Sequence, residues 1–438
     1  MKRIFIVGVL LVYSGSYFCQ KEVQQAYLNN NSTEIQLDNP NFNFDEEFYS
    51  HQLFFFGFVH GSATPQKIDL ELIKNLSKNG IRYYAPEVDY SLAFFLNQYL
   101  QTGKEEVLEY ALMYYRYQAP QDASIQFKNK WRSLYRYNKN LEENKKIQIL
   151  GFDKCKSKEL RLTHIAFLAP KKATSNSLID SLNYFQNYEI QELEINSGKK
   201  IYKSGKGFDY YLSTHKSRFF DRIIAEYQKD SLGFLRAFGE NSEGLAHILN
   251  QSKHRNREEA MYENFRAVAL PLIKSKEKVY ANYGYMHVQQ SKINGYEYIA
   301  DKIKNRTTTK VVSVIGMMQK SVCMKEREYK KEEIQVKDLT LKTITYKGYK
   351  TSSFYDGDSF IEKVNGIKLL QNASKSDVTL FKLSGANSPF NNSILFTNFS
   401  RGNRAWEIEP DSSTTDYFQY IFLINNSQAC IPFEEEKK

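Results

Sequence analysis

Several signatures of familiar chemistry are missing from this sequence. It has no G-x-S-x-G turn, which excludes the serine nucleophile elbow of the α/β-hydrolases, and no H-E-x-x-H pair. The nearest approach to a phosphate-binding loop, Lys203-Ser204-Gly205-Lys206-Gly207, lacks the spacing that such a loop needs. Cysteine is scarce, at four in 438 residues. Setting aside Cys19 near the N-terminus leaves Cys155, Cys323 and Cys430. That odd number at long spacings is neither a zinc pattern nor a disulfide framework, and it assigns no pairing. None of the three lies in a recognisable nucleophile motif. Fixed-period repeats and long low-complexity linkers are also absent. After the N-terminus no apolar stretch is long enough to span a bilayer, so no integral membrane span is expected in the mature form.

What is present fits a large globular protein. Hydrophobic residues make up 42% of the chain, enough for a sizeable core. The 15% aromatic share comes almost wholly from tyrosine and phenylalanine and reads as compositional bias. Net charge is +10, but the basic residues alternate with acids and apolar residues. A nucleic-acid binder concentrates its charge on one stripe, so no nucleic-acid partner is expected.

The first 20 residues read as a signal peptide. Lys2 and Arg3 precede the apolar run 4–12, and Ser14, Gly15 and Ser16 follow. A periplasmic or secreted location follows. A lipid anchor at Cys19 is the lesser alternative, because bulky Tyr17 and Phe18 precede it. Residues 21–45 are polar and Asn-rich and read as a flexible leader. Residues 46–438 are expected to form one α/β domain with a helical insertion over about 88–275.

Leu53–Val59 is a short continuous apolar run, the pattern of a buried strand. Residues 67–79 show helical periodicity through Ile68, Leu72, Ile73 and Leu76, closed by Gly80. Ile81–Ala85 is the next strand, completing a strand–helix–strand unit. Further strands are expected at 147–152, 279–283 and 311–315. Shorter β-like runs follow at 339–346, 378–383 and 394–397, and a central strand at 417–424. The expected fold is α/β, with a mostly parallel central sheet flanked by helices.

Polar residues of catalytic type stand where apolar runs stop. His60 ends FFFGFVH, Glu87 follows IRYYAP, Asp153 closes LGFD and His287 closes YANYGYMH. In open parallel sheets, ligands bind beyond the carboxyl ends of the strands. Arg257 shares a helix face with Met261 and Asn264 at i, i+4 and i+7. Two imidazoles, a carboxylate and a guanidinium can move protons and hold an oxyanion: His60 would take the proton from water, Glu87 would orient it, and Arg257 and His287 would hold the oxyanion. The catalytic candidates are therefore His60, Glu87, Arg257 and His287, and the substrate-binding candidates are Gly61, Asp153 and Asn264. Each also has an ordinary structural alternative: Asp153, for example, could cap a helix that starts at Lys154.

Taken together, GFVHGS, APEVDYSLAFFLNQYL, LGFD, RNREEAMYENF and YGYMHVQ, in that order, resemble the erythromycin esterase-like group, which is related to the Tiki and TraB-like proteins. The closing DYFQYIFLINNSQACIPF resembles that group's last strand. The resemblance implies a cleft at the strand ends and hydrolysis of a small-molecule ester by an activated water. It places the general-base histidine on His60, the glutamate on Glu87, the helix arginine on Arg257 and the late histidine on His287. It implies no cofactor. Gly57-x-x-His60 and Gly284-x-x-His287 look closer to the Tiki-like pattern. That suggests a divalent-metal peptidase as the alternative, with His60, Glu87 and His287 as ligands. A third reading is a member of the fold that binds a ligand without turnover.

Overall fold

The computed structural model describes residues 20–431 apart from 119–123, 156, 173, 175, 187, 189–192, 195–199, 202–215, 252–253, 329–331, 337–338, 345–346, 352–363, 398–399, 402–403 and 406. Residues 1–19 of the expected signal peptide, the whole Lys203–Gly207 segment and the end of the 339–346 run lie outside the described residues.

Eight strands form a mixed, mostly parallel sheet. They are β1 (Ser32–Glu34), β2 (Leu53–Phe58), β3 (Tyr83–Pro86), β4 (Gln148–Ile149), β5 (Val279–Gly284), β6 (Val311–Gln319), β7 (Val378–Lys382) and β8 (Tyr420–Asn425). This is the expected α/β class. The chain divides into two compact units, of residues 1–59, 283–322 and 355–428, and of residues 60–282, 323–354 and 429–438.

In the first unit, β6 lies between β2 and β8, parallel to both, with Leu53 opposite Val311 and Tyr420 opposite Val314. All six β2 residues are buried, as a parallel strand covered on both faces requires. β7 and β1 extend this group with antiparallel pairings.

Two expectations fail in this unit. Residues 21–45 hold a helix over 20–30 and the edge strand β1, fastened by buried Leu28, Ile35 and Phe42. Their polar composition hides these three anchors. Residues 394–397 are not a strand: Phe396 sits at a φ of 62°, outside the extended region, although its ring is buried.

In the second unit, β3 pairs in parallel with both β5 and β4, with Tyr84 opposite Tyr280 and Ile149. Helix α1 (Ala63–Lys78) buries the stripe Ile68, Leu72, Ile73 and Leu76, and Gly80 follows its end at a φ of 81°. α2 (Tyr90–Thr102) starts where Asp89 accepts from the Ser91 and Leu92 N–H groups, and it stops at left-handed Gly103. α3 (Ile125–Lys139), α4 (Lys158–Leu168), α5 (Ser242–Leu249) and α6 (Arg257–Val268) complete the helices needed below. α4 and α5 join the helix Lys216–Lys229 around an apolar core of Leu162, Ile165, Phe220, Ile223, Leu245 and Ile248.

Candidate active site

Four groups of the second unit converge, and each is placed by the end of a local element. Glu87 is the first residue after β3, in a tight turn where the Val88 N–H donates to the Pro86 carbonyl at 2.6 Å. Asp153 follows β4, and its N–H donates to the Val88 carbonyl at 2.9 Å, so the two acidic turns are tied together. Gly151 makes this approach feasible, because a Cβ there would lie 2.2 Å from the Asp89 carbonyl oxygen. Arg257 opens α6, whose N-cap is Asn256. That cap accepts from the Glu258 and Glu259 N–H groups and fixes where the first helical residue points.

The groups form a chain of charges. His60 Nε2 lies 3.5 Å from Glu87 Oε2, within ion-pair range. Arg257 donates to Glu87 Oε1. The same guanidinium grips Asp153 with two bonds, Nε to Oδ1 at 2.9 Å and a terminal nitrogen to Oδ2 at 2.7 Å. This parallel two-point geometry is the strongest form of carboxylate–guanidinium recognition. Burial is graded along the chain: the Asp153 side chain is 0% exposed and Glu87 6%, whereas His60 is 18% and Arg257 29%. The carboxylates are thus sealed and the imidazole is open to water.

Burial alone would lower the Arg257 pKa, but Asp153 and then Glu87 outweigh it and hold the guanidinium charged. Behind the cluster, burial pushes the Asp89 carboxyl up to about 6. Its two bonds from helix N–H groups oppose that shift, and the charge of Asp153 adds to it. Burial likewise raises the Cys155 thiol well above its ordinary value, with Asp89 adding to the effect. A thiol held protonated in this way is a weak nucleophile.

The remaining candidates are placed as follows. Asn264 donates to the Asp153 carbonyl at 3.1 Å, so it supports the acidic turn. It also lines a cavity of about 520 Å³ with Tyr90, Gly151, His247, Gln251 and Glu263. The Gly61 carbonyl accepts from the Met324 and Cys430 N–H groups, and its φ of 92° suits only glycine. Asp153 caps no helix: α4 starts at Lys158 with Ser157 as its cap, and Asp153 Oδ1 accepts instead from the Lys154 N–H at 2.6 Å. His287 is not among the groups this unit gathers. It belongs to the first unit, half-buried, with its N–H on the Gly284 carbonyl and its ring beside Tyr283 and Tyr298.

Sequence reading missed a second cluster in the same unit. Asp69 Oδ2 accepts from Lys130 Nζ at 2.7 Å and Tyr84 Oη at 2.8 Å, and Oδ1 accepts from Tyr280 Oη at 2.6 Å. All four residues are buried. A signal for it exists. Asp69 lies three and four positions before Leu72 and Ile73, and Lys130 lies three after Phe127, each on an apolar helix stripe.

Among the described residues, no group of three or more His, Cys, Asp or Glu side chains is arranged to hold a metal ion. The donors themselves explain this, because a guanidinium already sits on Glu87 and Asp153. No described helix is long and apolar enough to cross a membrane.

No protein-family profile matches the chain. No curated protein matches it. Solved structures do. A Bacillus cereus protein aligns at a TM-score of 0.56 and 13% identity over 94% of this chain and 99% of its own. A succinoglycan biosynthesis protein aligns at 0.55 and 14% identity over 94% and 97%. An erythromycin esterase mutant in its open conformation aligns at 0.51 and 10% identity over 90% and 96%. At these identities the likeness is one of fold.

Proposed function

We propose that this chain is an exported hydrolase that cleaves an ester bond in a small molecule by water attack. One observation carries the reading: a water-accessible imidazole faces a buried carboxylate that a guanidinium holds in place. The fold shared with an erythromycin esterase mutant supports it.

In this mechanism His60 is neutral at the start and accepts a proton from the attacking water. Glu87 orients the ring and stabilises the imidazolium that forms. The tetrahedral intermediate then collapses, and His60 returns its proton to the departing alkoxide. Arg257 is a positioning residue: its donors are committed to Glu87 and Asp153, so it keeps Glu87 ionised and aimed. This differs from the oxyanion role expected of it. For His287, the oxyanion role expected from the sequence remains a proposal.

The test is hydrolysis of a panel of aryl and alkyl esters by the mature protein. Glu87→Gln keeps the shape and removes the charge, and it is expected to lower kcat by about 10²-fold or more, on the scale of general-base catalysis. Equal turnover by wild type and Glu87→Gln on every ester, or turnover by neither, contradicts the reading.

A further inference from the structure

Two of the cysteines meet at the residue after the proposed base. The Gly61 carbonyl oxygen accepts from the Met324 N–H at 2.7 Å and from the Cys430 N–H at 2.9 Å. Cys323, just before Met324, brings its Cβ within 3.5 Å of where a Gly61 Cβ would stand. Ser62 bridges Ala429 in antiparallel fashion, which sets the 429–430 segment directly along the 61–62 turn. One oxygen shared by two amide nitrogens thus puts segments 323–324 and 429–430 side by side. Disulfide-linked residues need such closeness, with Cα atoms about 4.4–6.8 Å apart. Cys323 and Cys430 are both buried, and Cys155, near the Asp153 turn, is only half-buried. All three are in the thiol form here.

We propose that Cys323 and Cys430 close into a disulfide that fixes the turn carrying His60. Each thiol gives up its proton, and one thiolate attacks a disulfide-bearing oxidant to form a mixed disulfide. The second thiolate then displaces the oxidant's sulfur. The new S–S bond leaves the oxidant's two sulfurs as thiols (two glutathione molecules where the oxidant is oxidised glutathione), which carry away the two electrons. The bond straps both segments across Gly61, whose φ of 92° and 3.0 Å approach to the Met324 nitrogen already leave no room for a side chain. An oxidising compartment is where such a bond persists. The cysteines are positioning residues, acting through the turn.

The experiment uses the mature chain, one portion treated with oxidised glutathione and one with excess dithiothreitol, each then alkylated under denaturing conditions and mapped by peptide mass. The expected result is a linked Cys323–Cys430 peptide pair in the oxidised portion only, with Cys155 alkylated in both. Alkylation of Cys323 and Cys430 in both portions, or a bridge that uses Cys155, overturns the proposal. The strap should also raise Tm by on the order of 5 °C relative to the reduced protein. That difference should vanish in a Cys323→Ser, Cys430→Ser double variant. The activity arm rests on the hydrolase reading: reduction should lower kcat several-fold with KM unchanged, since the strap positions the base. The mass map is independent of turnover. A linked pair with no ester hydrolysis would therefore sink the hydrolase reading and leave the disulfide standing.

Discussion

The second unit holds two clusters that each set buried carboxylates against a cation, and the contrast between them shows which one can act. In the Asp69 cluster, one carboxylate meets one ammonium and two phenols, and all four residues are buried. Burial, with Asp69 beside them, pushes the Tyr84 and Tyr280 hydroxyls well above their ordinary pKa and keeps them as donors. Both Asp69 oxygens are engaged, and α1, α3, β3 and β5 are pinned to one point. In the Glu87 cluster the carboxylates are equally buried, but the chain of contacts ends on an imidazole in reach of water. A sealed network specifies packing; one with an accessible titratable end can exchange a proton with a substrate.

That comparison can be broken from either side. The largest stability effect should come from Lys130→Met, which strands the Asp69 charge in the core. Loss of one partner of a buried pair costs about 3–5 kcal/mol, read by urea denaturation. Ester turnover per folded molecule should stay at the wild-type value. A cost below about 1 kcal/mol would mean that the sealed cluster is not what pins the elements.

Asp89 sharpens the contrast, because it is buried behind the open cluster on two helix N–H bonds. Its folded pKa of about 6 lies above the unfolded value of about 3.9. The stabilisation by its neutral form is therefore fully present below about pH 4 and is lost as pH rises through 6. Asp89→Asn keeps the cap and removes the titration. The variant should be more stable than wild type at pH 8 by about 2–3 kcal/mol, with a flatter stability curve between pH 4 and 7. Parallel curves for the two proteins would contradict the assignment.

The smallest effect expected is that of Arg257→Lys. An ammonium keeps the charge but cannot grip Asp153 at two points while also reaching Glu87. A fall of about 10-fold in kcat with KM little changed would mark a positioning role, equivalent to about 1.4 kcal/mol in the barrier. Unchanged kcat would show that the fork is dispensable.

The open cluster was legible in the sequence because its members stop apolar runs. His60, Glu87 and Asp153 mark strand ends in any reading of hydrophobic periodicity, and Arg257 lies on the same helix face as Asn264. Three things were hidden. That Arg257 would be spent on two carboxylates depends on the Asn256 cap and on the Gly151 approach, which only three-dimensional packing reveals. The Asp69–Lys130 pair was easy to pass over because charged residues inside helices are normally solvated, and its only signal is that both sit on apolar stripes. The structure of 21–45 was hidden because three buried side chains, Leu28, Ile35 and Phe42, fasten a segment that is otherwise polar. Conversely, the run at 394–397 suggested a strand, but Phe396 buries its ring from a left-handed backbone conformation that periodicity does not encode.

The central claim is that the open cluster, and not the sealed one, carries the chemistry. Its most direct test is the kcat/KM of His60→Ala and of wild type on the same ester, with Tm measured alongside. Removal of a general base is expected to lower kcat/KM by about 10²–10⁴-fold while Tm stays within about 2 °C of wild type, because the His60 ring stands at the water-accessible end of the cluster and not in the apolar core. Equal kcat/KM for the two proteins would contradict it.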